Sequence, residues 1–279
     1  MKPIDLPNLV EQSSTGDIAI LQSGRLGDLW FVTPLAHALH QLGARVRVIH
    51  RAEFGNPFTH FPYVISSPAP GPQHPRSSRL GYAADEAAWQ WLQWRRLLRE
   101  STPVIWNQIF PFRWPHALAC GRPFPEYWYR TFPGIDFRRA PTTLEVTAEP
   151  FILFFRRSFS FRGVIPDGFD DWLRGTVNHL ASVTGHRILV VATADEPDDP
   201  EHPTWRGSLD DFQRLVARCS VVAGITTSGH VLGQLLGKPV VAMYPPDVRA
   251  VDRIGNETIA LSFPDPLLEP STLRRLLTR

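Results

Sequence analysis

Three segments combine residue types that could do chemistry. In Ser23-Gly-Arg-Leu-Gly-Asp28 a carboxylate follows two glycines where an apolar run gives way to an amphipathic one. A carboxylate at the end of a strand can reach a cleft and accept a proton, or it can cap the helix that follows, and aspartate suits either task. The glycines lack the G-x-G-x-x-G spacing, which disfavours a nicotinamide dinucleotide. In Ala223-Gly-Ile-Thr-Thr-Ser-Gly-His230 a turn opens a helix, so the N–H groups of Ser228, Gly229 and His230 are expected to point outward from its positive end. That arrangement cradles a diphosphate, although Thr/Ser capping with a tight turn accounts for the same residues, and His230 reads equally as a partly buried polar side chain. The third segment, Arg156-Arg-Ser-Phe-Ser-Phe-Arg162, sets arginines directly after a strand, where guanidinium forks meet phosphate oxygens or simply stay solvated.

The elements that position these groups follow from periodicity. Residues 18–23 form an apolar strand, 29–42 an amphipathic helix ended by Gly43, and 44–50 a second strand, a βαβ unit that implies a parallel sheet. Strands over 63–66 and 104–108 flank a helix over 83–98 that carries Trp89, Trp91 and Trp94, while 111–133 shows no period. The second half alternates strands at 151–155, 187–192, 220–224 and 239–243 with helices at 169–184, 209–219 and 229–236, and ends in a helix at 271–277. Ser208 and Asp211 form a variant capping box for one of them. The aperiodic, proline-containing stretch 138–150 reads as a linker, giving domains 1–140 and 150–279. The expected fold is α/β, two facing doubly wound Rossmann-like domains with ligands beyond the carboxyl ends of the strands.

Composition narrows the class. The 279 residues carry a net charge of only +2, so no nucleic-acid partner is inferred, and only Lys2 and Lys238 of 29 basic residues are lysines. Cys120 and Cys219 stand apart, and the paired carboxylates Asp170/Asp171, Asp198/Asp199 and Asp210/Asp211 point apart on adjacent positions, so neither a disulfide nor a metal site is expected. With no apolar run of ~18 residues and no export signal at the start, a cytoplasmic location is expected.

Taken together, these pieces resemble glycosyltransferase family 9, the heptosyltransferase family, whose members have the GT-B fold. The likeness rests on the strand from Ile18, on Arg25-Leu26-Gly27-Asp28 followed by Thr33-Pro34, on Gly207-Ser-Leu209 through Ser228-Gly229, and on Gly237-Lys-Pro-Val-Val-Ala-Met243. It covers about a third of the chain by residue. The resemblance implies an inverting, metal-independent transfer of a sugar, heptose included, from a nucleotide-diphosphate donor to a hydroxyl of a glycan or lipid-linked glycan, without a cofactor. It also implies a role in lipopolysaccharide biosynthesis and peripheral contact with the inner face of the membrane. Asp28 would be the base, with Arg25 and Gly27 in the acceptor-side loop. Arg156, Arg162, Thr227, Ser228, Gly229 and His230 would meet the diphosphate, Glu196 the donor ribose, and the Arg206-Gly207-Ser208 turn the base of the nucleotide. The chain departs from the family where Thr227 replaces an aspartate, where His230 directly follows Gly229, and where Phe155-Arg156-Arg157 replaces His-Pro-Gly. Two rivals share the architecture: a sugar-nucleotide epimerase, and a catalytically inactive relative that binds a nucleotide sugar or glycan.

Overall fold

Short apolar runs become strands, and the amphipathic runs between them carry the chain back to start the next strand in the same direction. The computed structural model describes residues 3–13, 15–71, 79–100, 102–107, 114–158, 161 and 165–277. The chain divides into two units, Met1–Thr143 with Ala250–Asp252, and Leu144–Arg249 with Arg253–Arg279. The return of Ala250–Asp252 to the first unit has no counterpart in the linear reading.

Unit 1 contains α1 (Leu6–Glu11), β1 (Asp17–Gln22), α2 (Leu26–Trp30), α3 (Thr33–Gln41), β2 (Arg45–Arg51), β3 (Val64–Ala69), α4 (Arg79–Glu100), β4 (Val104–Asn107), α5 (Trp114–Cys120) and α6 (Phe124–Tyr129). Its four parallel strands lie in the order β3-β2-β1-β4. Ile18, Ala19, Ile20 and Leu21 of β1 are fully buried, as a parallel strand covered on both faces requires.

The helix expected over 29–42 is two helices instead, starting at Leu26 and interrupted between Trp30 and Thr33. Pro34, in the first turn of α3, can begin a helix but cannot continue one. The next rung is taken over by a side chain: the Tyr129 hydroxyl donates to Phe31 O and accepts the Leu35 N–H at 3.3 Å. A continuous helix would have joined those two groups directly. Tyr129 belongs to α6, inside the stretch 111–133 that shows no period in the sequence.

Unit 2 contains β5 (Glu149–Phe155), α7 (Phe169–Thr184), β6 (Arg187–Val191), β7 (Thr204–Trp205), α8 (Leu209–Arg218), β8 (Cys219–Ile225), α9 (Ser228–Leu235), β9 (Val240–Tyr244), β10 (Ile259–Ser262) and α10 (Pro270–Leu277). The six strands are parallel in the order β10-β9-β8-β5-β6-β7. Counted within the unit this is the 3-2-1-4-5-6 arrangement of dinucleotide-binding sheets, with the order reversing between β5 and β8. The short edge strands β7 and β10 were not apparent from sequence. Lys238 fastens the entry to this sheet, its Nζ donating to Thr147 O and, at 2.9 Å, to Cys219 O.

Candidate functional site

Each sheet has one place where neighbouring crossovers leave in opposite directions, and ligands of open α/β sheets bind outside the carboxyl ends of the strands there. In unit 1 that place is the end of β1, from which the chain runs through Ser23, Gly24 and Arg25 into α2. Asp28 is not the residue before the helix, as the capping alternative required; it is the third residue within it. Its Oδ2 accepts the backbone N–H of Arg25 at 2.9 Å, half of a capping box closed by aspartate. Its own carbonyl accepts from the buried Gln22 side chain at 2.8 Å.

Gly24 explains how the carboxylate fits. A Cβ at position 24 would lie 2.6 Å from both Cβ and Oδ2 of Asp28, so only glycine leaves room for the acid to fold back over the loop. The residue is half-buried, and burial pushes its carboxyl up to about 6 against the downward pull of the Arg25 N–H and the Arg25 charge. A carboxylate with this affinity for protons is matched to general-base work near neutral pH. Arg25, at the start of α2, supplies the N–H, and Gly27 lies inside α2, its carbonyl taking the Phe31 N–H at 3.2 Å.

The loop is held from behind by a buried polar network. Gln90 of α4 donates to the Ser23 hydroxyl and contacts Glu86 at 3.2 Å, while the Trp106 indole donates to Gln90 Oε1 at 3.1 Å. Arg51, 2% exposed, reaches Asp85 at 2.6 Å and Glu86 at 3.7 Å and lies over the Trp89 ring. Gln22, Ser23, Glu86 and Gln90 are all buried. Ser23 and Gly24 lie in the segment singled out in the sequence but had no role of their own there, and Gln90 did not stand out; the available signal was a glycine four residues before an acid at a helix start.

In unit 2 the corresponding place lies between Phe155 at the end of β5 and Gly224 and Ile225 at the end of β8. Gly224 has φ +120° and its missing Cβ would sit 2.1 Å from Phe155 O, so β8 presses on β5 here through glycine alone. Gly229 packs on the Phe155 ring, which a Cβ would approach to 2.2 Å. Thr227 is the N-cap of α9, accepting the Gly229 N–H at 3.2 Å.

The outward-facing expectation for His230 does not hold. Its N–H returns to Thr227 O at 3.1 Å, and its ring is fully buried against Phe155, centroids 5.4 Å apart. Nδ1 accepts the Thr227 N–H at 3.2 Å, which leaves the proton on Nε2, a buried atom with no hydrogen-bond partner among the described residues. Burial lowers this imidazole to about 3, so it stays neutral and serves as the third residue of a capping box. With the Gly229 N–H also engaged, the Ser228 N–H is the one of the three expected donors without a bond among the described residues.

Arg156 is held rather than free: its guanidinium meets Asp170 at 3.0 Å and the wholly buried Asp199 at 2.9 Å. Arg174 joins the same cluster with a two-pronged bond to Asp199, 2.8 and 3.2 Å. Burial raises the Asp199 carboxyl, yet the Arg174 and backbone bonds pull it below its usual range overall. Arg156 and Glu196 are brought together, lining one small pocket with Arg157, Ala192 and Pro197 past the ends of β5 and β6. Gly207 lies under the Trp205 ring, where a Cβ would come to 2.4 Å, and lines a second pocket with Arg206 and Asp211. Ser208 caps α8, accepting the Asp211 N–H at 3.2 Å. Arg162 lies outside the described residues. Among the described residues no group of three or more His, Cys, Asp or Glu gathers as metal ligands.

No protein-family model matches the sequence, and no curated protein matches it. The fold does match solved structures. A glycosyl transferase family 9 structure from Veillonella parvula aligns at TM-score 0.59 and 12% identity over 94% of this chain and 97% of the other. An E. coli ADP-heptose lps heptosyltransferase II aligns at TM-score 0.56 and 14% identity over 94% and 98%. The chain spans 59% of the length of a bacterial iron-containing dodecameric glycosyltransferase from enterotoxigenic E. coli, at TM-score 0.49 and 14% identity. The α/β class with two parallel sheets is thus the one found in GT-B glycosyltransferases, and the resemblance read from the sequence extends to the fold.

Proposed function

We propose that this chain is an inverting glycosyltransferase of the family 9 type, which moves a sugar, heptose among the candidates, from a nucleotide-diphosphate donor to a hydroxyl of a glycan or lipid-linked glycan. The observation that carries the reading is the Asp28 carboxyl, seated over Gly24 at the end of β1 and raised to about 6. An acceptor hydroxyl is a poor nucleophile until its proton is removed as the new bond forms. Asp28 takes that proton; the hydroxyl oxygen bonds to the anomeric carbon, and the bond to the diphosphate breaks with its electrons leaving on the diphosphate. Unit 2 supplies the donor side, where the N-terminus of α9 at Ser228 and the arginines after β5 meet the leaving charge without a metal ion. For Arg156 this means exchanging a carboxylate partner for a phosphate. ADP-heptose is the first donor to try, because it names the E. coli enzyme of the same fold. An acceptor on a membrane lipid would place the reaction at the inner face of the membrane.

The buried, neutral His230 favours a second reading, an inactive relative that binds a nucleotide sugar without turning it over. A thermal-shift screen of nucleotide sugars followed by product analysis with and without acceptor, in EDTA, separates the cases. Transfer in EDTA supports the proposal. Donor consumption without acceptor indicates an epimerase or hydrolase, and binding without any product indicates the inactive relative.

A further inference from the structure

The outer face of α4 carries a surface that the transfer reaction does not use. On its inner side Glu86, Trp89, Gln90, Gln93 and Leu97 are buried. On the opposite side Trp91 is 54%, Leu92 58% and Leu98 57% exposed. At helical spacing these three alternate with the exposed Arg95, Arg96 and Arg99. The nearest acids are Asp85 and Glu86, turned toward Arg51, and Glu100 at the end of the helix, which bridges Arg47 at 2.6 Å and Arg96 at 3.4 Å. From position 87 to 99 the helix carries no acidic residue. Trp91 is also braced: its ring lies 5.2 Å from Trp94, which stacks at 6.0 Å on Trp106 of β4.

We propose that this face of α4 docks on an anionic lipid surface. Tryptophan and leucine enter the boundary between headgroups and acyl chains while arginines meet lipid phosphates, the composition of a helix lying in the interface. A protein partner would have to bring matching acids to Arg95 and Arg99 and bury the pairs at a desolvation cost, whereas an anionic lipid surface presents phosphates wherever the arginines fall. A second copy is disfavoured further, since a two-fold contact would set Arg95, Arg96 and Arg99 against themselves. No helix among the described residues is long and apolar enough to cross a membrane, so the contact is peripheral where α4 makes it.

The test is co-sedimentation of the full chain with phosphatidylethanolamine vesicles that contain phosphatidylglycerol, against pure phosphatidylcholine vesicles, at low and high salt. Binding should require phosphatidylglycerol and weaken with salt. Each arginine contributes roughly fivefold in affinity, so Arg95→Glu with Arg99→Glu should lower it by about 100-fold or more. Trp91→Ser should weaken binding without changing the melting temperature, since the side chain is mostly exposed. Equal binding to both vesicles, no binding, or binding unchanged by the variants overturns the proposal. So does a concentration-dependent dimer that Trp91→Ser abolishes, which would assign the face to a second copy. None of these readouts involves sugar transfer, so the proposal stands or falls apart from the catalytic one.

Discussion

Replacing Asp28 by asparagine should make the protein more stable and inactive at the same time. In the folded chain burial raises this carboxyl from the usual 3.8 to about 6. The native state therefore holds the proton more tightly than the unfolded chain. The associated stability is fully present below pH 4 and is lost as the pH rises from about 4 through about 6. The full shift corresponds to about 3 kcal/mol at pH 7 and above; because the residue is half-buried, solvent screens part of it, and about 1–3 kcal/mol is expected. Asparagine keeps the shape and can accept the Arg25 N–H through Oδ1, but it never ionises. Asp28→Asn should therefore melt roughly 2–12 °C above the parent at pH 8, with the difference vanishing by pH 4. Turnover should fall by about 10²–10⁴ with donor affinity nearly unchanged. The assay is thermal unfolding across this pH range on both proteins, paired with transfer kinetics once a donor is known. An asparagine variant no more stable at pH 8 than at pH 4, relative to the parent, would show that the carboxyl is not desolvated. One that retains turnover would remove Asp28 from the mechanism.

Other perturbations test the surroundings. Gly24→Ala must push the Asp28 carboxylate off its seat, so activity should drop by at least ~10-fold while the fold persists, and the pH dependence of the Asp28 contribution should shrink; an unchanged pH profile would refute the packing argument. Gly224→Ala forces a side chain against Phe155 O at a left-handed φ and should destabilise unit 2 by about 3 kcal/mol or more, read by denaturant unfolding. Asp199→Ala strands Arg156 and Arg174 and should destabilise by about 3–5 kcal/mol, with Asp199→Asn milder; a loss within 0.5 kcal/mol for the alanine variant would mean water already shares that cluster.

Much of the strand and helix pattern was legible because parallel strands buried on both faces read as plain apolar runs, as in β5, β8 and β9, and because amphipathic helices such as α7 and α8 show their period. What was not legible depended on partners distant in the chain. The break between α2 and α3 is tolerated because Tyr129, some ninety residues away, completes the interrupted rung. The edge strands β7 and β10 are too short to announce themselves, and Pro203 and Asn256 beside them read as turn residues. At the site, the types of residue were legible but their direction was not. The N–H groups of Ser228, Gly229 and His230 were expected to point outward from the helix end, yet the Phe155 ring offers the imidazole a buried stack, and a histidine three residues after an N-cap closes a box as glutamate would. Arg156 looked like a free cation because its partners, Asp170 and Asp199, arrive from other segments of unit 2.

The seat that Gly24 makes for Asp28 ties the fates of two positions during divergence. While the acid stays, any side chain at position 24 collides with it, so drift at 24 is blocked by steric means even though its backbone angle would tolerate other residues. Losing the acid alone does not lift the block, because the Asp28 Cβ lies as close as its Oδ2 and every residue with a side chain keeps that atom. Position 24 becomes free to vary only where position 28 is itself glycine or the start of the helix is rebuilt. Descendants of such a chain that have abandoned proton transfer should therefore lose the acid first and keep the glycine, so that the glycine marks the shape of the loop and the aspartate alone marks the reaction.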